Sequence, residues 1–253
     1  MDCHVATLLA MTIVATLLEM TGFVLHLQTS YIYDRLLFMK KFANSYIFAS
    51  LFIVFSLWLR LFDVQAVGPE GSRIGFASLN VAVHEFFGMH LFWYELTQVL
   101  GYAALLVAAA FAVLGAVQLI KRKSLLQVDK KLLMLAIVYI LVILTYILFE
   151  KVPFNYRPVV LDPAEGLEPS YPSTHTMLIL TIFGTAISLL GDYIKNAKLM
   201  LVLKILCLII MALTIVGRLV CGVHWFTDIA GGVIISLFFI NLFKDLIKNE
   251  AQQ

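Results

Sequence analysis

His224 and Asp228 stand four residues apart in the segment CGVHWFTDIA. On a helix that spacing puts both on one face, so the carboxylate can hold one imidazole nitrogen by a hydrogen bond and leave the other free as a nucleophile. Arg218 just upstream and Arg157 in FNYRPVV offer fixed positive charge, and a guanidinium fork matches two oxygens of a phosphoryl group. Lys151, at the end of an apolar run, is a third cation of the same kind. Ser173-Thr174-His175 precedes another apolar run and is read as the opening of a helix, whose first N–H groups can hold an anion. Ser173 adds a hydroxyl donor, Thr174 a backbone donor, and His175 a proton for a departing oxygen. Nucleophile, acid and fixed cations are together what hydrolysis of a phosphate ester demands, since that reaction is among the slowest without a catalyst.

These groups must be positioned by elements that lipid solvates. Of the 253 residues, 62% are apolar and 13% are charged, and the mean hydropathy is +0.95. A soluble core could not hide so much apolar surface, so the chain is read as all-α, a polytopic transmembrane helical bundle. Six spans are predicted, over residues 43–62, 94–120, 132–149, 176–190, 199–217 and 229–243. Residues 81–93 form an amphipathic piece read as lying along the outer surface, where it would help lipid headgroups enter from the side. A net charge of +2 leaves no basic patch suited to nucleic acid, and Cys3, Cys207 and Cys221 have neither CxxC spacing nor an even count.

Basic residues sort cleanly between the two sides of such a bundle. Arg35, Lys40, Lys41, Lys121, Arg122, Lys123, Lys130, Lys131, Lys195, Lys198, Lys204, Lys244 and Lys248 gather on one side, which the positive-inside rule assigns to the cytoplasm. Arg60, Arg73, Lys151, Arg157 and Arg218 fall on the other, with both motif histidines. The reactive groups therefore face the extracytoplasmic side of a plasma membrane. Residues 1–38 have two readings, an extra N-terminal helix with Glu19 near its middle or an upstream extension before a bacterial-type start at Met39. Residues 39–253 form the six-span domain.

The three clusters resemble the signature of the type 2 phosphatidic acid phosphatase superfamily of integral-membrane lipid phosphatases. That signature reads Lys, six residues, Arg-Pro; then Pro-Ser-Gly-His; then Ser-Arg, five residues, His, three residues, Asp. The resemblance spans about residues 150–228. It implies that His224 forms a phosphohistidine, that Asp228 orients it, and that His175 is the general acid. Arg157, Arg218, Ser173, Thr174 and Lys151 would hold the phosphoryl group, with no metal and no other cofactor. Implied substrates are phosphatidic acid, phosphatidylglycerol phosphate or a polyprenyl diphosphate. The departures are local: Lys151 sits one residue too close to Arg157, which puts Glu150 at the lysine position, while Thr174 replaces the glycine and Gly217 the serine.

Plainer readings suit the remaining residues. His4, His26, His84 and His90 read as packed or interfacial side chains, and the spacing of His84, Glu85 and His90 does not suit a metal. Arg60 and Arg73 read as snorkelling anchors, and Trp58, Trp93 and Trp225 as interfacial aromatics. The acidic loop LDPAEGLEPSY reads as a solvated connector. Two rival functions stay open at this stage: a lapsed relative that binds lipid phosphates without turnover, and a lipid or anion transporter. The clustering of ionisable residues at one interface weighs against the transporter.

Overall fold

The computed structural model describes residues 39–164 and 166–248. Both readings of residues 1–38 concern a segment outside the described residues. The helices that carry the site belong to the unit Asn44–Gln253. In order they are α1 (Ala43–Leu61), α2 (Ala77–Phe87), α3 (Leu91–Arg122), α4 (Lys130–Lys151), α5 (Thr174–Tyr193), α6 (Ala197–Val220) and α7 (Phe226–Ile247). All but α2 are long and apolar enough to span a membrane, and they coincide with the six predicted spans. In hydrocarbon each backbone polar group must be satisfied within its own segment, which is why such runs are helical.

The helices differ in how much of their surface faces protein. The most apolar stretch of α5 is 61% buried and that of α7 is 56% buried, against 6% for α3 and 11% for α6. So α5 and α7 make the centre, and the others present Leu, Ile and Val outward to lipid. Small residues let the central pair approach closely. A Cβ on Gly184 of α5 would lie 2.4 Å from Ile240 of α7. Buried hydroxyls on this pair bond back to their own helix, Thr185 Oγ1 to the Thr181 carbonyl at 2.8 Å and Ser236 Oγ to the Gly232 carbonyl at 2.6 Å.

A second line of packing ties α1 to the loop before α5. Tyr171 is buried among Phe52, Phe149 and Phe154, and its hydroxyl meets Ser56 Oγ at 2.7 Å. At the other end of the bundle Ser45 Oγ donates to Asp245 Oδ2 at 2.7 Å. The chain reverses at each connection, so α1, α4 and α6 finish at the end of the bundle where α3, α5 and α7 begin. The three chemical clusters meet at that end.

Residues 81–93 are not one continuous piece. The segment splits at Gly88, whose φ of +69° breaks the helix, and His90 then opens α3. The upstream half, α2, docks on the start of α7 through Asn80, which is fully buried. Asn80 Oδ1 accepts from the Thr227 N–H at 3.1 Å and its Nδ2 donates to Thr227 Oγ1 at 2.9 Å.

Candidate active site

A cavity of about 490 Å³ opens where the clusters meet, lined by Arg157, Arg218, His175, His224 and Thr174, with Tyr146, Glu150, Leu167, Glu168 and Pro169 completing its wall. Arg157, Thr174, His175, Arg218 and His224 were all singled out from sequence, so residues separated by up to 67 positions converge on one space. Asp228 lies just behind it. Its Oδ2 is 3.6 Å from His224 Nδ1, long for a hydrogen bond, and both side chains are almost wholly buried. Ser173 is fully buried next to the cavity, where its hydroxyl accepts from Thr176 Oγ1 at 3.0 Å and its N–H donates to the Asp228 carbonyl at 2.9 Å. Lys151 is exposed and is not part of the wall; the neighbouring Glu150 takes that place.

The loop Cys221–Trp225 between α6 and α7 holds His224. Gly222 turns it with φ of +74°, and a Cβ there would strike the Gly88 carbonyl at 2.4 Å. Asp228 fixes the other side by capping α7: its Oδ2 accepts from the Trp225 N–H at 2.9 Å, and its Oδ1 accepts from Asn155 Nδ2 at 3.3 Å. The carboxylate is thus already aligned by two neutral donors, as a helix N-terminus favours. Burial first, and then the charges of Arg218 and Arg157, hold the His224 imidazole well below its ordinary pKa. It is therefore a neutral base at physiological pH, with a lone pair to offer.

Arg218 is 1% exposed at the end of α6. Its Nη1 donates to Thr97 Oγ1 at 3.2 Å, its Nη2 meets His175 Nδ1 at 2.6 Å, and its guanidinium lies 5.5 Å from the Tyr94 ring centre. A guanidinium only donates, so His175 Nδ1 accepts and the ring carries its proton on Nε2. Gly217 makes this contact possible. A Cβ at that position would lie 2.7 Å from Thr97 Cγ2, so the serine of the family pattern would push away the residue that holds Arg218.

Arg157 sits on the loop after α4. Its N–H donates to the Glu168 carbonyl at 3.0 Å, Ser170 N–H donates to the Asn155 carbonyl at 2.9 Å, and Tyr156 bridges to Pro169. This short ladder sets the Glu168 carboxylate on Arg157 Nη2 at 2.9 Å. The acidic loop is therefore part of the cavity wall, not a free connector. Arg60 is likewise more than a membrane anchor, since its Nη2 donates to the Pro153 carbonyl at 2.6 Å and its guanidinium lies 4.2 Å from the Phe154 ring centre. Trp225 is no interfacial aromatic. It is 4% exposed, its Nε1 donates to the Tyr156 carbonyl at 2.7 Å, and His84 packs on its ring at 5.6 Å.

Sequence reasoning missed Tyr94, Thr97, Asn80, Asn155 and Glu168 as supports of the site. Their types and spacing carry no reactive pattern, since Asn80 and Thr97 stand among other polar residues of their helices. Two further cavities share little with this chemistry. One of about 290 Å³ borders His175 and is otherwise lined by Gln98, Gly101, Tyr102, Leu105, Thr174 and Leu178. The other, about 280 Å³ and apolar, lies between α3 and α4 and shares no residue with the site. Among the described residues no group of three His, Cys, Asp or Glu side chains stands together in a way that could hold a metal ion.

Fold and site together define a multi-pass helical membrane protein with a cavity bearing two arginines and two histidines at one end of its bundle. Residues 130–251 match the family model of the PAP2 superfamily. The fold is similar to that in the crystal structure of the first transmembrane PAP2 type phosphatidylglycerolphosphate phosphatase from Bacillus subtilis, with a TM-score of 0.57 and 19% sequence identity over 81% of this chain and 96% of that one. No curated protein matches the sequence.

Proposed function

We propose that the protein is a lipid phosphate phosphatase that removes a terminal phosphate through a phosphohistidine on His224, at the extracytoplasmic face of the plasma membrane. One observation carries this reading. Arg157 Nε and Arg218 Nε are buried without a hydrogen-bond partner, and both residues line the cavity that holds His175 and His224. Two buried cationic donors left unpaired are costly unless something fills them, and a tetrahedral oxyanion fits.

In the first step a lone pair on His224 Nε2 forms the N–P bond as the bond from phosphorus to the lipid oxygen breaks. Arg157, Arg218 and the first-turn N–H groups of α5 take the phosphoryl oxygens, and Asp228 stabilises the imidazolium that forms. As those oxygens draw Arg218 away from His175 Nδ1, that nitrogen takes a proton from water, and His175 as imidazolium protonates the departing oxygen from Nε2. Water then attacks phosphorus, His175 accepts its proton, and the P–N bond breaks to release phosphate and restore His224. The cavity beside His175, with Leu105, Leu178 and Tyr102 on its wall, suits the first carbons of a lipid leaving group. Phosphatidic acid, phosphatidylglycerol phosphate and polyprenyl diphosphates are the substrates to try, and the Bacillus subtilis structure supports including the second.

The test is phosphate release from these lipids by purified protein in detergent, with chelator present, beside His224→Ala. Release by the parent protein that the substitution abolishes is the expected result. Folded protein that releases no phosphate from any of them would refute the reading.

A further inference from the structure

The cavity that holds the two guanidinium groups is also lined by two carboxylates, Glu150 and Glu168. Glu168 is spoken for, since its Oε2 lies 2.9 Å from Arg157 Nη2. Glu150 is exposed, in the last turn of α4, and makes no ion pair among the described residues. The C-terminal carbonyls of α4 add partial negative charge at the same place. Arg218 is 1% exposed and still has an unpartnered Nε, so the deep part of the cavity is built for one phosphoryl group. The formal charges of its Arg and Glu side chains cancel, two against two. A phosphoryl group seated on His224, Arg157 and Arg218 therefore leaves no spare cation for a second one, and the wall still carries Glu150.

We propose, resting on the phosphatase reading, that Glu150 is a specificity-determining residue. It disfavours diphosphates, whose leaving group is itself a phosphate directly bonded to the one attacked, and favours phosphomonoesters. Cleaving a diphosphate would hold the second phosphate inside the same cavity, whose wall includes the Glu150 carboxylate. Two like charges about 8 Å apart, with an effective dielectric of about 20 to 40, disfavour such a complex by about 5- to 30-fold. Because Glu150 is exposed, the lower end applies.

The experiment compares kcat/KM of the full chain on phosphatidic acid and on diacylglycerol diphosphate with the same acyl chains, in detergent. Glu150→Gln is isosteric at an exposed position and keeps the fold. The parent protein should prefer the monophosphate, Glu150→Gln should raise the diphosphate-to-monophosphate ratio by about fivefold, and Glu150→Lys should raise it further. A ratio unchanged to within about twofold in both variants, or a parent protein that prefers the diphosphate, overturns the role of Glu150 and leaves the hydrolase reading standing. No release from either lipid by the parent protein overturns the hydrolase reading, and this inference with it.

Discussion

Replacing Asp228 by Asn tests whether the carboxylate acts on His224 electrostatically or only as a helix cap. The side chain does two jobs in the structure: Oδ2 accepts from the Trp225 N–H at 2.9 Å, and the same oxygen faces His224 Nδ1 at 3.6 Å. Asparagine keeps one acceptor oxygen for the cap and loses the charge. When His224 bonds to phosphorus its ring becomes cationic, and at 3.6 Å a carboxylate stabilises that charge by about 4 to 5 kcal/mol at an effective dielectric of about 20, or half that at 40. Since about 1.4 kcal/mol is tenfold, Asp228→Asn should lower the rate of phosphoenzyme formation by about 10² to 10³. Thermal stability should fall little, whereas Asp228→Ala should lose rate and also about 1 kcal/mol of stability with the cap. Single-turnover phosphate release and thermal melts in detergent separate the two. If Asp228→Asn keeps more than about a fifth of the parent rate, the carboxylate is a cap only and the electrostatic reasoning fails.

Three shorter tests reach other parts of the site. Gly217→Ser should cost about 1 to 3 kcal/mol by overpacking and should also lower activity, because its Cβ would stand 2.7 Å from the Thr97 methyl and displace the partner of Arg218; a melt and a rate measured together decide this. His224 is held below its ordinary value of about 6.5, so the unfolded chain binds a proton there that the folded chain refuses, and stability should fall as pH drops below about 6.5. His224→Gln should flatten that slope, and an unchanged slope would remove the residue from the account. Asp162→Cys on the exposed loop, with Cys3→Ala, should be labelled by an impermeant thiol reagent from outside intact cells; labelling only after permeabilisation would put the site on the cytoplasmic side.

Sequence gave access to what periodicity and reactive types encode. Six apolar runs became six helices because lipid leaves the backbone no other option, and the ends differ by only a few residues, as at α5, read from Thr176 and found from Thr174. Arg157, His175, Arg218 and His224 were legible because each is a residue of high cost at a span end, and alternating spans bring such ends together. Trp225 was misread because its composition suits an interface, while its actual place depends on a long-range partner, the Tyr156 carbonyl 69 positions away. The same holds for the acidic loop: nothing local announces that Glu168 will lie on Arg157, because the ladder that aligns them joins segments on either side of the turn.

The placement of Lys151 and Glu150 shows how a one-residue change in spacing can alter chemistry without altering fold. Both lie in the last turn of α4, and successive positions on a helix point about 100° apart, so only one of the two can face the cavity. The loop from Pro153 is pinned by Arg60 at the Pro153 carbonyl and by Asn155, whose side chain reaches Asp228. Glu150 lines the cavity and Lys151 does not, although both are exposed. Arg157 and Arg218 keep their places, and so does the nucleophile that Asp228 supports. What differs from the family pattern is the sign of the charge at the cavity wall, which is why we propose that the variation bears on which phosphate ester is accepted rather than on the attacking group.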